Sequence, residues 1–543
     1  MAEITVDHFK RAVADIGVHG DNDTLPFDID NRFINECQDE LATLAHTYFV
    51  KLENGSRKAA TRAINALQIF SERLLVPTGP SGFRITTKIH PFWNIYINGL
   101  GVAIAAKHEA QRSLNAHSYR YVVDGEGLFD RNRSWRAYRQ CTISSKHWYG
   151  DDAVVIQTDI SSFYEHIYHH RLESCINDLF PPDSTVATQI ARFLSKFASG
   201  RSFGLPVGGQ CARILAEVLM SAVDNILTDE GIIWHRYVDD FTIMAQSQED
   251  AYRALAVLSH ALADYGLSLN RTKTIILKAK HYLDYVNTQL APGTDEAGAL
   301  RQMDLHFDPY SDTAHADYDE LKDTVRKLDV PALLELETTK GQPDSLLVAQ
   351  IGRSLRFQTP EVALQLCATL LDRKNLNAFR GSWSRIMRGV AAIRGEPEYK
   401  TIFADLDVLL DEILKHSRSL LVPEVNCLHY LRTIRFGRTT TRAKYVVSVY
   451  NDTSSETVRR GCIECWWSWR DRPNFIRRRN QWQTLGAQEQ RMLWLAAGDF
   501  GEEGKKTQDQ LRTSLSQAWQ LGIERRRQQT FGELYTEWAE SAL

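Results

Sequence analysis

Two adjacent carboxylates, Asp239 and Asp240, end a Tyr-Val-Asp-Asp tetrad at residues 237–240. Apolar, β-prone runs flank the tetrad within residues 232–245, and this pattern predicts a hairpin with the two acids at its tip. Neighbouring carboxylates repel each other, and a divalent cation can neutralise them. The tetrad therefore indicates a metal site on a hairpin.

A third acid, Asp159, ends the apolar run at residues 153–159. Carboxylate oxygens from two strand ends suit Mg²⁺, an ion that supports phosphoryl and nucleotidyl transfer. A Tyr-x-Asp-Asp match arises by chance in roughly one chain in twenty of this length, so a polar turn on an ordinary hairpin is the alternative. The ordered motifs around the acids favour the metal site.

Three further motifs accompany the acids, and each also has a purely structural explanation. Tyr164 stands five residues after the third acid, either as a wall of a sugar pocket or as core packing. Gly208 and Gly209 lie in a turn before an amphipathic helix, where they admit a nucleotide phosphate or simply start the helix. Lys273 follows a helix predicted at about 249–264, and it either assists a leaving pyrophosphate or is a surface lysine.

The order of these motifs is itself informative. It runs strand–Asp–helix, Gly-Leu-Pro-x-Gly–helix, Tyr-x-Asp-Asp hairpin and Gly-Leu-x-Leu-Asn-x-x-Lys-Thr. This order resembles motifs A to D of the reverse transcriptase palm, over roughly residues 80–290. Gly-Leu-Pro-Val-Gly followed by Arg-Ile-Leu-Ala-Glu is similar to the abortive-infection (Abi), or defence-associated, branch of bacterial reverse transcriptases. Residues 87–99 and 118–121 also resemble the fingers of that branch.

The resemblance implies a DNA polymerase that uses deoxynucleoside triphosphates and two Mg²⁺ ions, with Mn²⁺ as an alternative. The residues implied to catalyse the reaction and hold the metal are Asp159, Asp239 and Asp240. The residues implied to bind the nucleotide are Lys88, Arg120, Tyr164, Gly208, Gly209 and Lys273. Lys88 and Arg120 would reach the triphosphate, Tyr164 would exclude a 2′-hydroxyl, and Lys273 would assist the departing pyrophosphate.

The resemblance further implies antiphage defence by abortive infection, through template-independent synthesis of single-stranded DNA primed by a protein hydroxyl, and a homo-oligomer. Val207 stands where many reverse transcriptases carry Gln, which removes a contact to the incoming nucleotide. No retroviral-type thumb, RNase H acid set or endonuclease motif is recognisable. Three alternatives stay open: template-directed RNA-dependent DNA synthesis, a palm-fold nucleotide cyclase, and a non-catalytic palm that is a scaffold for an interaction domain.

The element pattern predicts an α+β fold, with a strand at 83–88 and successive amphipathic helices from 315 to 435. The predicted segments are an N-terminal helical segment (1–75), a fingers-like region (76–150), a reverse transcriptase palm (151–292) and an all-α, HEAT-like domain in place of a thumb (293–543). A nucleic-acid channel is expected in the last segment.

The net charge of −4 argues against bulk capture of nucleic acid, so a binding surface must be a local basic patch. Residues 431–480 carry 12 Lys and Arg against 4 Asp and Glu, and this balance suits single-stranded nucleic acid when aromatic rings are interleaved. The candidates are Arg477, Arg478, Arg479, Trp466 and Trp467. The alternative is a helical core with arginines on its wet face, which is also the prediction for Arg525–Arg527.

Eight scattered cysteines predict no disulfide framework. Cys462 and Cys465, with Cys427 and His429, form a candidate zinc site, and a lone Cys-x-x-Cys pair without metal is the alternative. The N-terminus lacks the basic start and apolar core of a signal peptide, and the apolar stretch near 99–106 is too short to span a bilayer. These features predict a cytoplasmic protein without membrane contact.

Overall fold

The structure, a computed structural model, describes residues 4–26, 29–79, 81–123, 125, 127–144, 152–290, 295–303, 305, 314–519, 521 and 529–542. The domain boundary predicted at residue 292 and the basic run Arg525–Arg527 lie outside these residues. The described part of the chain is mostly helical, with six strands in two sheets. None of its helices is both long enough and apolar enough to cross a bilayer.

The N-terminal region combines helices with a two-stranded antiparallel sheet. Its elements are α1 (Val6–His19), α2 (Ile29–Glu36), α3 (Gln38–Glu53), α4 (Arg57–Ala66), β1 (Ser71–Thr78), β2 (Gly82–Ile89), α5 (Pro91–His108) and α6 (Trp135–Ser144). The strand predicted at 83–88 is confirmed as part of β2, which pairs with β1 from Ser71↔Ile89 to Thr78↔Gly82. The helices of the predicted 1–75 segment end at Ala66, and β1 runs across its predicted boundary.

The next region is built on a four-stranded antiparallel sheet with strand order β4-β5-β3-β6. Its elements are β3 (Val154–Asp159), α7 (Phe163–His166), α8 (His169–Asn177), α9 (Val186–Phe197), α10 (Gln210–Asp229), β4 (Ile233–Tyr237), β5 (Asp240–Ala245), α11 (Gln248–Asp264), β6 (Ile275–Lys278) and α12 (Ala279–Leu290). The predicted hairpin and the helices after the glycine turn and before Lys273 are confirmed.

One helix prediction in this region is wrong in detail. The single helix expected after Asp159 is split into α7 and α8, because Ile167 adopts an extended conformation. The chain there is bonded to the segment before α10: the amide of Gly204 donates to the carbonyl of Ile167 at 2.9 Å, and Tyr168 bridges to Phe203. A partner distant in sequence therefore overrides the helical pattern.

After Lys278 the described residues form helices and no strand. These helices are α13 (Glu296–Gln302), α14 (Ala314–Arg326), α15 (Val330–Thr338), α16 (Ser345–Ser354), α17 (Pro360–Leu370), α18 (Arg373–Phe379), α19 (Trp383–Gly395), α20 (Phe403–His416), α21 (Glu424–Ile434), α22 (Thr440–Asp452), α23 (Glu456–Ser468), α24 (Arg472–Arg479), α25 (Ala487–Ala497), α26 (Gly501–Ala518) and α27 (Phe531–Ala542). The C-terminal region is therefore all-α, as predicted. Its HEAT-like character stays a prediction.

Buried polar contacts join the C-terminal helices to the N-terminal region. Asp30 is fully buried in α2, and its carboxylate accepts from Arg491 of α25 at 2.7 Å and from Arg460 of α23 at 3.2 Å. Glu424 of α21 accepts a hydrogen bond from the amide of Leu75 in β1 at 2.9 Å. Since these bonds lie away from water, the two ends of the chain form one structural unit.

Asp30→Asn is expected to lower the free energy of unfolding by about 3–5 kcal/mol, because two buried guanidinium groups would lose their shared counter-charge. The measurement is the midpoint of denaturant unfolding. Asp39→Asn is the matched control, since Asp39 forms an exposed pair with Lys10 and should change stability by less than about 1 kcal/mol. Equal effects of the two substitutions would show that the Asp30 cluster does not hold the chain ends together.

Candidate active site

The hairpin of β4 and β5 turns through two residues, Val238 and Asp239, because Tyr237 pairs with Asp240. Val238 has a φ of 59°, a left-handed conformation that is costly for a β-branched side chain. Its amide donates to the hydroxyl of Ser118 at 2.9 Å, and its carbonyl accepts from Arg236 at 2.8 Å. The turn that carries Asp239 is therefore held on both sides by side chains.

Four buried charges lie beneath this turn. Arg236 is fully buried, and it donates to Asp224 at 2.7 and 2.9 Å and to Glu217 at 3.0 and 3.2 Å. Arg112 donates to Glu217 at 2.6 Å, and so does the hydroxyl of Ser118. Burial favours the neutral form of Arg236, but the carboxylates of Asp224 and Glu217 outweigh it and raise the pKa of this guanidinium. Two cations and two anions thus balance each other.

The three predicted acids converge at the ends of neighbouring strands. Asp159 is the last residue of β3 and pairs in register with Asp240, the first residue of β5, while Asp239 lies in the turn. Burial, followed by the charge of Asp240, raises the pKa of Asp239 to about 6. Burial and the charge of Asp159 also raise the pKa of Asp240. Burial and the neighbouring negative charge therefore both disfavour the ionised carboxylates, and a bound cation would offset both effects.

Lys273 is the cation beside these acids. Its ammonium group forms an ion pair with one oxygen of Asp159, and this hydrogen bond raises the pKa of Lys273. The backbone brings the two together, because the amide of Asn270 donates to the carbonyl of Asp159 at 2.8 Å. The Lys273 side chain remains 65% exposed, so it is free to move away from the carboxylate.

The donor set suits Mg²⁺. The other oxygen of Asp159, Oδ1, is buried and has no hydrogen-bond partner among the described residues. The pKa values of Asp239 and Asp240 are raised, and Asp159 has an unsatisfied oxygen. Their carboxylate oxygens are hard ligands, which suit a hard cation. In the part of the chain that the structure describes, no group of three His, Cys, Asp or Glu side chains lies close enough together to hold a metal ion.

A cavity of about 470 Å³ lies over the acids. The sequence-predicted residues that line it are Asp159, Tyr164, Gly208, Gly209, Asp239, Asp240 and Lys273. The structure adds Asp23, Arg84, Tyr119 and Arg213. The motifs that were separate along the chain therefore meet around one space large enough for a nucleotide.

The glycine turn packs closely against Asn22 because Gly208 has no side chain. Gly208 has a φ of 127°, and a Cβ there would lie 2.1 Å from the side chain of Asn22. The carbonyl of Gly208 accepts from the amide of Asp23 at 2.8 Å. Gly209 is the N-cap of α10, so the helix N-terminus points into the cavity region. Only glycine at residue 208 allows this packing.

Tyr164 lies at the side of the cavity. The amide of Leu205 donates to its carbonyl at 2.9 Å, which fixes α7 against the glycine turn. The ring of Tyr164 packs beside that of Phe163, with the centroids 5.1 Å apart, and burial raises the pKa of the Tyr164 and Tyr119 phenols. Tyr164 is thus a fixed aromatic wall between motif A and the glycine turn.

The structure does not bring Lys88 and Arg120 to the cavity, contrary to the sequence-based expectation. Lys88 is 2% exposed and paired with Asp21, because the end of β2 is covered on both faces. Arg120 donates to Glu109 at 2.5 Å and to the carbonyl of Ser113 at 2.7 Å. Both cations serve the packing of the region before β3.

Arg84 and Arg213 are the arginines that line the cavity instead. Arg213 lies in the first turn of α10 and is paired with Asp23. A signal for Arg213 was present in the sequence, since it follows Gly209 by four residues, one helical turn. Arg84 lies on the exposed half of β2. The alternation of polar and apolar residues in the sequence could not show which half of this strand is covered.

The basic-aromatic candidates of the C-terminal region are mostly engaged in packing. Trp466 is buried, and the guanidinium carbon of Arg478 lies 4.0 Å from the ring centroid of Tyr450. Arg479 pairs with Glu503 at 2.7 Å. Of the five candidates, Arg477 and part of Trp467 remain accessible, and the indole of Trp467 donates to Asp499 at 2.8 Å. These contacts match the alternative given above, a helical core with arginines on its solvent-exposed face.

Cys462 and Cys465 are buried on one face of α23, and burial raises the pKa of both thiols. Burial also raises the pKa of the Cys427 thiol to about 11. The imidazole of His429 contacts the carbonyl of Thr24 at 3.2 Å. Because thiolates are disfavoured there and no metal ligand group is found among the described residues, the zinc hypothesis gains no support.

Comparison with known proteins shows what this part of the chain is similar to. Residues 113–289 match the family described as reverse transcriptase (RNA-dependent DNA polymerase). No curated protein matches the chain. Similar solved structures include telomerase from Candida albicans in complex with a fragment of telomeric RNA (13% identity, 64% of this chain and 67% of that chain, TM-score 0.31). Another is apo telomerase from Candida tropicalis (12%, 73% and 69%, TM-score 0.30).

Glu217→Gln is expected to destabilise the protein by about 3–5 kcal/mol, because Arg236 would keep only Asp224 as a counter-charge and Arg112 only its 3.4 Å pair with Glu109. The measurement is the unfolding midpoint in denaturant. Glu230→Gln is the matched control at the end of the same helix, since Glu230 forms an exposed pair with Arg253 at 3.3 Å. If both variants unfold at the wild-type midpoint, the buried charges do not support the hairpin.

Proposed function

We propose that this protein is a DNA polymerase of reverse transcriptase type that acts through two divalent cations held by Asp159, Asp239 and Asp240. The observation that carries the proposal is the convergence of these acids, on two neighbouring strands, in a cavity that the motif B glycines and Tyr164 also line. Mg²⁺, when bound, lowers the pKa of the attacking hydroxyl and neutralises the leaving pyrophosphate.

The side chains of the cavity supply positioning and charge. Asp159 and Asp240 are fixed by their strand register, and Asp239 is fixed by the strained turn at Val238. Lys273 is long, exposed and protonated, so once it leaves Asp159 it can donate a proton to the departing pyrophosphate. Arg84 and Arg213 are the guanidinium groups available to the triphosphate.

Tyr164 is proposed to select deoxynucleotides. Its ring packs beside that of Phe163, and its backbone is bonded to Leu205, so it cannot easily move aside for a 2′-hydroxyl. The sugar of a nucleotide whose phosphates lie near Gly208 and Gly209 would contact this ring. Steric exclusion by a rigid aromatic wall therefore accounts for the choice of sugar.

We further propose that synthesis is template-independent, primed by a protein hydroxyl, and serves antiphage defence by abortive infection. The motif resemblance supports this, as does Val207, whose apolar side chain lines the cavity while its carbonyl accepts from Thr86 at 2.8 Å. A homo-oligomer is part of the same proposal.

The deciding experiment is incubation of the purified protein with Mg²⁺ and labelled deoxynucleotides, without template or primer. We expect long DNA that stays with the protein on a denaturing gel and is released by protease. DNA made only after addition of an RNA template would support template-directed copying. A cyclic mononucleotide would support the cyclase, and no product under any condition would support the scaffold.

Asp239→Asn with Asp240→Asn should abolish incorporation and phage protection together, by at least about 1,000-fold in rate, because amides ligate Mg²⁺ weakly. The fold should be kept, since removal of clustered like charges relieves repulsion. Glu249→Gln with Asp250→Asn, at the exposed start of α11, is the control for charge loss. Wild-type protection by the first double variant would contradict a polymerase function in defence.

Tyr164→Val should raise ribonucleotide incorporation relative to deoxynucleotide incorporation by on the order of tenfold, because the wall beside the sugar is removed. Tyr164→Phe should keep the wild-type ratio, since the ring and not the hydroxyl excludes the sugar. The measurement is the ratio of incorporation rates with each nucleotide. Tyr252→Val, at a residue that is 76% exposed on α11, is the control. An unchanged ratio in active Tyr164→Val protein would remove Tyr164 from the sugar pocket.

A further inference from the structure

A second cavity, of about 300 Å³, adjoins the cavity over the acids. The two share the residues Asp23, Gly208, Gly209 and Arg213 in their walls. The second cavity therefore lies on the far side of the glycine turn. Its opposite wall comes from the C-terminal helices α16 and α19.

That opposite wall is rich in arginine. Arg353 of α16 and Arg385 and Arg388 of α19 line it. Arg385 and Arg388 are three residues apart, so they lie on one face of their helix. Arg388 donates to the carbonyls of Asp23 at 3.0 Å and Leu25 at 2.7 Å, which ties this face to the segment beside the glycine turn.

A larger groove of about 520 Å³ continues the arginine-rich surface. It is lined by Arg32, Arg432, Arg435 and Arg470, together with Trp467. The two sites are adjacent, because α19 packs on α21, which carries Arg432. Burial, followed by the charges of Arg385 and Arg432, lowers the pKa of Arg388 to about 10, which shows that these cations lie close together.

The acids along these walls do not cancel the positive charge. Four arginines face three aspartates in the cavity, and four face Glu464 and Asp499 in the groove. Of these acids, Asp21 pairs with Lys88, Asp23 with Arg213 and Glu464 with Arg435. Arginines still outnumber the acids in both walls, and this excess favours an anionic ligand.

We propose that the cavity and groove form one basic path, from Arg353 and Arg385 past Arg388 and Arg432 to Arg470 and Trp467, that binds the phosphate backbone of single-stranded DNA. This inference rests on the proposed function, since the strand is the product of the carboxylate site. Guanidinium groups suit phosphates, and Trp467 offers a ring for a base. Asp21 and Asp23 line one side of the cavity, and helices α16 and α19 line the other. This path replaces the route expected at Arg477–Arg479.

The test compares Arg353→Gln with Arg385→Gln, both exposed, and a control that removes the same charge elsewhere in the C-terminal region, Arg373→Gln with Arg477→Gln. Fluorescence anisotropy of a labelled oligo-dT 20-mer gives its Kd over a series of salt concentrations. The slope of log K against log salt should fall by about 1.4 in the first double variant, because about 0.7 is lost for each phosphate contact of a single strand. The control slope should equal that of wild type.

Arg353→Lys with Arg385→Lys should restore the slope, which separates loss of charge from loss of structure. If the wild-type protein incorporates nucleotides, Arg353→Gln with Arg385→Gln should add the first nucleotide at the wild-type rate and make shorter products. An unchanged slope in the Gln variant, or a fall seen only with an RNA 20-mer, would overturn the inference. Binding is independent of synthesis, so a reduced slope in a protein without incorporation would contradict the proposed function and leave the DNA path intact.

Discussion

The catalytic hairpin depends on four buried charges. Arg236 spans from Glu217 and Asp224 of α10 to the carbonyl of Val238, and this support keeps the turn in a conformation that Val238 disfavours. A buried pair adds little net stability, but loss of one partner is costly, so the network specifies geometry more than it adds free energy. The position of Asp239 relative to the other acids follows from this network. The helix that follows the motif B glycines thereby also orients motif C.

A second constraint couples the C-terminal helices to the nucleotide pocket. Asn22 occupies the space that Gly208 leaves free, and its amide donates to the carbonyl of Thr87 at 2.9 Å. The same segment accepts hydrogen bonds from Arg388 and contacts His429. One short segment therefore lies between the glycine turn, β2 and the helical domain. The cavity over the acids and the proposed strand path share Asp23 of this segment, to which the helical domain is bonded through Arg388.

Patterns along the chain predicted β2, β3, the hairpin and the convergence of the acids, because strand ends and turn residues are local features. They did not predict β1, which begins within the segment expected to be helical. The same patterns could not predict that Lys88 is buried, because its partner, Asp21, is distant in sequence. Trp466 was equally ambiguous, since a buried and an exposed aromatic residue have the same local pattern. The position of Arg213 beside the glycine turn could have been predicted, because it follows Gly209 by one helical turn. What escaped prediction was therefore set by tertiary partners, and what succeeded was set by periodicity and motif order.

The central claim is that the three acids are a two-metal site which Lys273 closes until cations and nucleotide bind. The most direct measurement is anomalous diffraction from crystals soaked with Mn²⁺ and a non-hydrolysable deoxynucleotide. The account predicts two anomalous peaks bounded by oxygens of Asp159, Asp239 and Asp240, with the Lys273 ammonium moved away from Asp159. Crystals without anomalous density at these acids, in which Lys273 stays on Asp159, would contradict it.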